Sequence, residues 1–422
     1  MIEKILKANE KIDDYRIVTK KTESYEVFFV HKTVETVRAT DTLSTDVTVY
    51  VHHDGVMGDS SFAVYRSMTP ADMEAKVNAA ADRARLVSNQ LYPLPRGNAG
   101  EEALNSNFTE YEFSELAAKI ADAVYEADKL EGGSLNAVEI FIYRDTVNVR
   151  NSQGVNLTET KYHAMIEAIP TWNQGKESVE LYENYEFTEF QPEKITAEIA
   201  RKMEEVRDRQ RAVKPETPLT CNVILNPHEI SAWMKELVGY LDYSAVYSKS
   251  NPKKVGDDLQ PEGRGDKLQV TLHGRLPDST NAAAFDADGV KMTSRQVIRD
   301  GKVESYFGAN RFASYLGQEP TGALRCLEVG AGTLTDAQRD EKPYLECVSL
   351  SGLQADLMND YLGGEIRLAY YFDGKKKIPV TGISMSTKFS DALEGLRLSG
   401  ELTNENNYQG PKYALIPDVA IL

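Results

Sequence analysis

Histidine, cysteine and tryptophan are scarce in this chain, at six, three and two among 422 residues. Cys221, Cys326 and Cys347 are too few and too scattered for a disulfide framework or a C-x-x-C zinc site, and an odd count suits a reducing compartment. Positive charge is short as well. With 48 basic against 65 acidic residues the net charge is −17, a field that repels phosphate backbones and removes the usual electrostatic basis of nucleic-acid binding. No run approaches the roughly 18 consecutive apolar residues of a membrane span. The opening MIEKILKANEKIDDYR is charged throughout and lacks the apolar core and small-residue cleavage site of a signal peptide. A cytoplasmic protein is expected, with no direct nucleic-acid partner and no membrane partner.

What is present is enough to fold. Hydrophobic residues make up 41%, with 22 tyrosines and 13 phenylalanines, so the chain is too apolar to be disordered. Its length allows two or three domains, and two are expected. After a short helix, YEVFFVHKTVETVRAT and DVTVYVHHDGVMGDSSFAVYR alternate with a period of two, and Asp54-Gly55 marks a hairpin, so an antiparallel meander is expected from Tyr15 to Tyr65. Thr69-Pro70, with Asp72 at N3, opens a helix whose apolar side runs Met73, Val77, Ala80, Ala84 and Val87, ending before Pro93 and Pro95. The polar stretch 95–112 reads as a long loop, either a lid or a connector.

Ser114 is expected to cap the next helix, which buries Leu116, Ile120, Val124 and Leu130 and stops at Gly132-Gly133. A second strand set begins at AVEIFIYRD and contains the turn Asn151-Ser152-Gln153-Gly154. A long helix from about Thr188 to Val213 buries Ile195, Ile199, Met203 and Val206, with Glu198/Lys202 and Glu205/Arg209 as i,i+4 pairs. KPETP then breaks it. This places an α+β N-terminal domain over 1–214 and a strand-rich α+β C-terminal domain over 215–422, each with an antiparallel or mixed sheet and covering helices.

The chemistry-bearing candidate is Asn226-Pro227-His228-Glu229-Ile230-Ser231-Ala232-Trp233, which begins like a zinc-protease helix. An H-E-x-x-H site needs a second imidazole one turn on, and that position is Ala232. With the longer H-E-x-x-x-H spacing the position is Trp233, whose indole N–H donates and cannot coordinate a cation. A structural account also exists: Asn226 as N-cap, Pro227 at N1 and Glu229 at N3 make a capping box, and Ile230, Trp233, Met234, Leu237 and Leu241 form a core-facing stripe.

Other motifs are weaker. His52 and His53 leave a strand on opposite faces and cannot share a metal without a bulge. His31, His163 and His273 are isolated in sequence. Gly330-Ala331-Gly332 lacks the continuation of a phosphate loop, so no nucleotide site or other cofactor is expected, and no G-x-S-x-G elbow exists.

Phe285 to Gly322, FDADGVKMTSRQVIRDGKVESYFGANRFASYLGQEPTG, resembles the FD-x-(E/D)-G … DG … LG-x-x-x-TG segment of the TldD/PmbA family, older label modulator of DNA gyrase. LECVSLSGLQADLMNDYLGGEIRLAYYFDGKKKIPVTGISM agrees with a later block of that family, and NSQG with its N-S-x-G turn. The resemblance spans nearly the whole chain and implies a cytosolic peptidase assembled from TldD and TldE (PmbA) subunits that acts on unfolded peptides. It further implies that TldD carries H-E-x-x-x-H plus a downstream cysteine as zinc ligands. Here Trp233 replaces the second histidine and no cysteine follows Cys347, so the chain is similar to the TldE/PmbA side: no metal ligand set, no catalytic residue of its own, and a TldD-like subunit or a second copy as partner. Two alternatives remain. One is a stand-alone zinc peptidase using His228, Glu229 as base and a distant ligand such as His273; the other is a gyrase-associated regulatory protein.

Overall fold

The computed structural model describes residues 1–174 and 178–422, and among these the strands form three sheets. The first half runs α1 (Ile2–Ala8), β1 (Asp14–Val30), β2 (Thr33–His53), β3 (Val56–Val64), α2 (Pro70–Ala84), β4 (Ala99–Ala103), α3 (Phe113–Glu126), β5 (Gly133–Asn151), β6 (Asn156–Trp172), β7 (Val179–Glu180), β8 (Glu183–Phe187) and α4 (Pro192–Arg211). Its sheet has the order β3-β2-β1-β5-β6-β4, with β7 and β8 also on β6. The meander forms as the alternation requires. Asp54 and Gly55 both take positive φ, the signature of a tight hairpin turn matched to strand twist. At the β5–β6 turn Asn151 Oδ1 accepts from the Gln153 and Val155 N–H groups, which is why an asparagine opens NSQG.

Period-two alternation gives this sheet two unlike faces. One buries Ile17, Val47 and Val49 beneath α1 and α2, and Val27, Ile140, Ile142 and Ile166 beneath α3 and α4. The other carries Glu26, Phe28, Phe141, Tyr143, Asp145, His163 and Met165. Across it Tyr143 stacks on His163 at 4.8 Å, and His163 Nε2 lies 3.3 Å from Asp145 Oδ2.

The second half runs β9 (Leu219–Leu225), α5 (Pro227–Gly239), α6 (Tyr243–Tyr247), β10 (Val270–His273), β11 (Arg295–Arg299), β12 (Lys302–Val303), α7 (Asn310–Tyr315), β13 (Cys326–Val329), α8 (Asp336–Arg339), β14 (Tyr344–Leu350), β15 (Gln354–Asp356), β16 (Tyr361–Phe372), β17 (Lys377–Val380), β18 (Ile383–Thr387), α9 (Phe389–Gly395), β19 (Arg397–Leu398), β20 (Leu402–Glu405), β21 (Tyr408–Pro411) and β22 (Ala414–Ile421). One sheet has the order β12-β11-β10-β13-β21-β20. In the other, β14-β9-β22-β18-β16-β15, an extra β14–β16 pairing closes five strands into a ring. Both sheets contribute to one hydrophobic core that includes the inner side of α5. The architecture is two-domain α+β. No helix among the described residues is long and apolar enough to cross a membrane.

Several boundaries differ from the sequence reading. Helix α2 ends at Ala84, so Val87 lies beyond it, and its start carries the Thr69/Asp72 capping box. Glu112, not Ser114, occupies the N-cap of α3, and Pro192 at the first turn starts α4 later than Thr188. The 95–112 stretch contains β4 and a single 3-10 turn over Asn107–Glu110. On α4 the pairing is not Glu198/Lys202 and Glu205/Arg209. Arg201 sits between Glu198 and Glu205, while Lys202 reaches Glu183 and Glu205. A forked guanidinium serves two carboxylates at once, which leaves the lysine free to bond off the helix.

The segment 275–290 runs along the first half as a strap. Asp278 accepts from the N–H groups of Thr188 and Glu189, Glu186 accepts from Thr280 Oγ1 and Asn406 Nδ2, and Lys161 Nζ donates to Thr280 O. Phe285 packs with Val149, Val155 and Leu157, and Arg16 pairs with Asp288. Gly289 closes this strap at φ +83°, where an added Cβ would lie 2.6 Å from Val155 Cγ1. Replacing Gly289 by Ala is expected to cost about 2–3 kcal/mol, from backbone strain plus overlap. Gly55→Ala, at φ +79° in open space, is expected to cost only about 1 kcal/mol. Chemical denaturation of both variants checks this, and equal losses would contradict a tight seam at Gly289.

Candidate functional site

Helix α5 begins where the sequence places it. Asn226 Oδ1 accepts from Glu229 N at 3.0 Å, and its Nδ2 donates to the carbonyls of Cys347 and Val348 at 3.4 Å each, tying the helix start to β14. Pro227 fills the first turn, where a missing N–H costs nothing. Only the asparagine half of the expected capping box forms. The Glu229 side chain does not fold back onto Asn226 but turns inward and is 6% exposed. Burial pushes its carboxyl up to about 7, opposed only by the positive charge of Lys202 on α4.

The other two motif positions part company. Positions five residues apart differ by about 140° around a helix, and the structure uses both directions. His228 keeps an accessible edge, although the protein crowded around it, and then Lys235 and Lys202, hold its imidazole below the ordinary histidine value. Trp233 points into the core with no exposed surface. Its ring meets Phe389 of α9 edge-on at 5.9 Å and 81°, and its Nε1 has no acceptor. Ile230, Met234, Leu237 and Leu241 are buried beside it, as the stripe predicts.

His273 lies on β10, its Nδ1 2.7 Å from Ser294 Oγ and its Nε2 2.6 Å from Glu328 Oε2, so both ring nitrogens are engaged away from α5. His53 contacts the Val87 carbonyl, His163 belongs to the Asp145 cluster, and His31 sits in the β1–β2 turn at φ 53°. Among the described residues, no three histidine, cysteine or carboxylate side chains converge as a cation site requires. The thiols are also poor donors. Burial raises Cys326, pushes Cys221 up to about 11 and lifts Cys347 well above its ordinary value, so all three stay protonated near neutrality. The residues at this helix therefore do not fit a zinc ion: one exposed imidazole, one buried carboxylic acid and one indole do not make a ligand set.

The structure brings to this place residues that no motif marks. The outward side of α5 faces charged side chains of the first half. Lys202 bonds Glu183 at 2.9 Å and Glu205 at 3.0 Å, and Lys235 lies within the field of Cys326 and Glu186, with burial lowering its pKa. Lys161 shares that surrounding. These side chains come from β6, β8, α4 and α5, so no spacing could have announced them.

Comparisons with known proteins bear on the same region. Residues 218–421 match the family described as PmbA/TldA metallopeptidase C-terminal domain. The chain is 26% identical over 341 residues to Metalloprotease PmbA of Escherichia coli O157:H7, covering 75% of this chain and 70% of that protein. Its fold is similar to the crystal structure of TldE from Thermococcus kodakarensis, with a TM-score of 0.79, 16% identity and coverage of 100% and 98%. It is also similar to a Thermotoga maritima protein described as a candidate modulator of a DNA gyrase, with a TM-score of 0.77, 15% identity and coverage of 97% and 96%.

Glu229 makes a testable contribution to pH-dependent stability. Its folded pKa near 7 lies above the ordinary 4.5, so the penalty is absent below about pH 4.5, grows as pH rises, and is complete above 7. Glu229→Gln is therefore expected to gain stability over the parent by roughly 2–3 kcal/mol between pH 4.5 and 7.5. Urea denaturation across that range measures it; a pH-independent difference would show that the carboxyl is not held protonated.

Proposed function

We propose, for a chain that belongs to the TldD/PmbA family, that it is the PmbA/TldE-like, non-metal-binding member of a cytosolic TldD/TldE-type peptidase acting on unfolded or unstructured peptides. The family is metallopeptidase-like. The observation that carries the subunit assignment is Trp233, which fills the place of a second imidazole with a fully buried indole packed on Phe389. Swinging a ligand out of that position would mean emptying the core of the C-terminal half. A metal-bearing TldD-like subunit supplies the hydrolytic centre in this reading. This chain contributes walls: the helix-free sheet face with Phe28, Phe141 and Tyr143, and the charged outward side of α5. The net charge of −17 disfavours direct contact with DNA.

Metal analysis and peptide cleavage test this together. The chain purified without chelator is expected to hold far less than one zinc per molecule and to leave an unstructured peptide intact. Mixed with a TldD-like subunit it is expected to co-elute and to cleave. Near-stoichiometric zinc that disappears in His228→Ala would overturn the assignment, as would homodimers indifferent to that subunit.

A further inference from the structure

We propose that the outer edge of β6 over Asn156–Thr160 is a binding strip for an extended polypeptide segment carrying an acidic residue, and that β4 is its displaceable tenant. The proposal deepens the peptide reading above and rests on it only for the nature of the natural ligand.

Three short strands add to the same edge of β6, and they are held very differently. β8 pairs with Ala164–Ala168 and is anchored by side chains: Phe187 is buried against Phe108, and Glu183 is tied to Lys202. β7 pairs with Thr171 and Trp172 next to the buried Leu181. β4 has no buried anchor. All five of its residues are exposed, and Gly100 has open space where a side chain would stand. Its attachment is main-chain pairing, in parallel register from Ala99↔Asn156 to Ala103↔Thr160, extended by Asn156 N–H to Asn98 O at 2.8 Å and Leu104 N–H to Thr160 O at 2.9 Å. One side chain adds to it: Glu102 accepts from Arg275 Nη1 at 2.6 Å.

This is the chemistry of strand addition, in which backbone groups give affinity and a pocket or charge gives selectivity. Nothing in AGEEA packs into the sheet, so any extended segment can make the same ladder. Arg275, which also lies near the buried carboxylate of Glu159, selects an acid at one position. The strip leads onward to Lys161, which shares the neighbourhood of Cys326 with Lys235 on α5. A segment bound parallel to β6 therefore runs with its C-terminal end toward Lys161 and the outward side of α5. A strand fastened by its ladder and one surface ion pair is in competition with any ligand in trans, and the tether gives it a high effective concentration. The free chain is accordingly expected to bind ligand weakly until β4 leaves.

The probe is a fluorescent peptide of sequence NAGEEAL, the tenant itself, titrated against the whole protein and against a variant in which residues 98–104 are replaced by a Gly-Ser segment of equal length. Anisotropy is expected to show at least about tenfold tighter binding to the variant than to the parent. Arg275→Ala in that variant should weaken binding, and a peptide with Gln in place of Glu102 should lose the same factor. No binding to the variant, or equal binding to both proteins, would overturn the proposal. If circular dichroism shows the variant unfolded, hydrogen exchange of the parent decides: the amides of 99–103 should exchange at least about a hundredfold faster than those of β5, and equal protection would refute displacement. None of these readouts needs a metal or a partner, so a failed cleavage assay and a failed strip are separate results.

Discussion

The commitment of the inner face of α5 to the core of the C-terminal half governs what the rest of the molecule can do. Ile230, Trp233, Met234 and Leu237 lock the helix rotationally, and Trp233 against Phe389 leaves no freedom for the first turns. Asn226 fixes its axial position by bonding both the helix and β14. Once rotation and height are set, the fates of the remaining positions follow. Glu229 is carried under cover, where its carboxyl is pushed up to about 7, while His228 is left exposed beside Lys235 and Lys202. The stretch that begins like a zinc-protease helix here starts α5 through Asn226 and packs its core through Trp233.

The strap over 275–290 ties the second half to the first through contacts of several kinds. Asp278 satisfies backbone N–H groups at the end of β8, Phe285 supplies apolar burial, and Arg16 with Asp288 supplies charge. Half-buried polar contacts of this sort add little net stability, because each must recover the desolvation of its partners. The strap sets where α5 stands relative to the helix-free face of the first sheet. That face, with its stacked Phe141, Tyr143 and His163, carries the strap at one end and no helix, because the opposite face carries the helices.

Much of this was legible in the residues wherever local chemistry decides. Asp54-Gly55 and Asn151 to Gly154 specify turns through φ and side-chain acceptors, Thr69 with Asp72 specifies a helix start, and Asn226-Pro227 another. Segments decided by distant partners were not legible. β4 has no alternating apolar residues because its ladder and Arg275 hold it from outside, so AGEEA reads as loop. The end of α2 at Ala84 carries no glycine or proline stop. Glu229 at N3 looks like a solvent-facing cap, and only the approach of α4 and β14 turns it into a buried acid. The charged cluster facing α5 is gathered from four separate elements, β6, β8, α4 and α5, with no shared spacing, and its lysines and glutamates look like ordinary surface charge.

The ring of strands in the second half couples its assembly to chain order. Leu219 at the start of β9 pairs with Ile421 in β22, and β22 also lies beside β18, so the earliest and latest strands of this half are neighbours. The first half is wound mostly from consecutive hairpins, whose partners emerge together. During synthesis it can therefore reach a native-like sheet early, whereas the ring stays gapped between β9 and β18 until the last strand leaves the ribosome. In that interval β9 exposes Val223 and Leu225 along with an unpaired edge, which makes this half the one most in need of chaperone shelter.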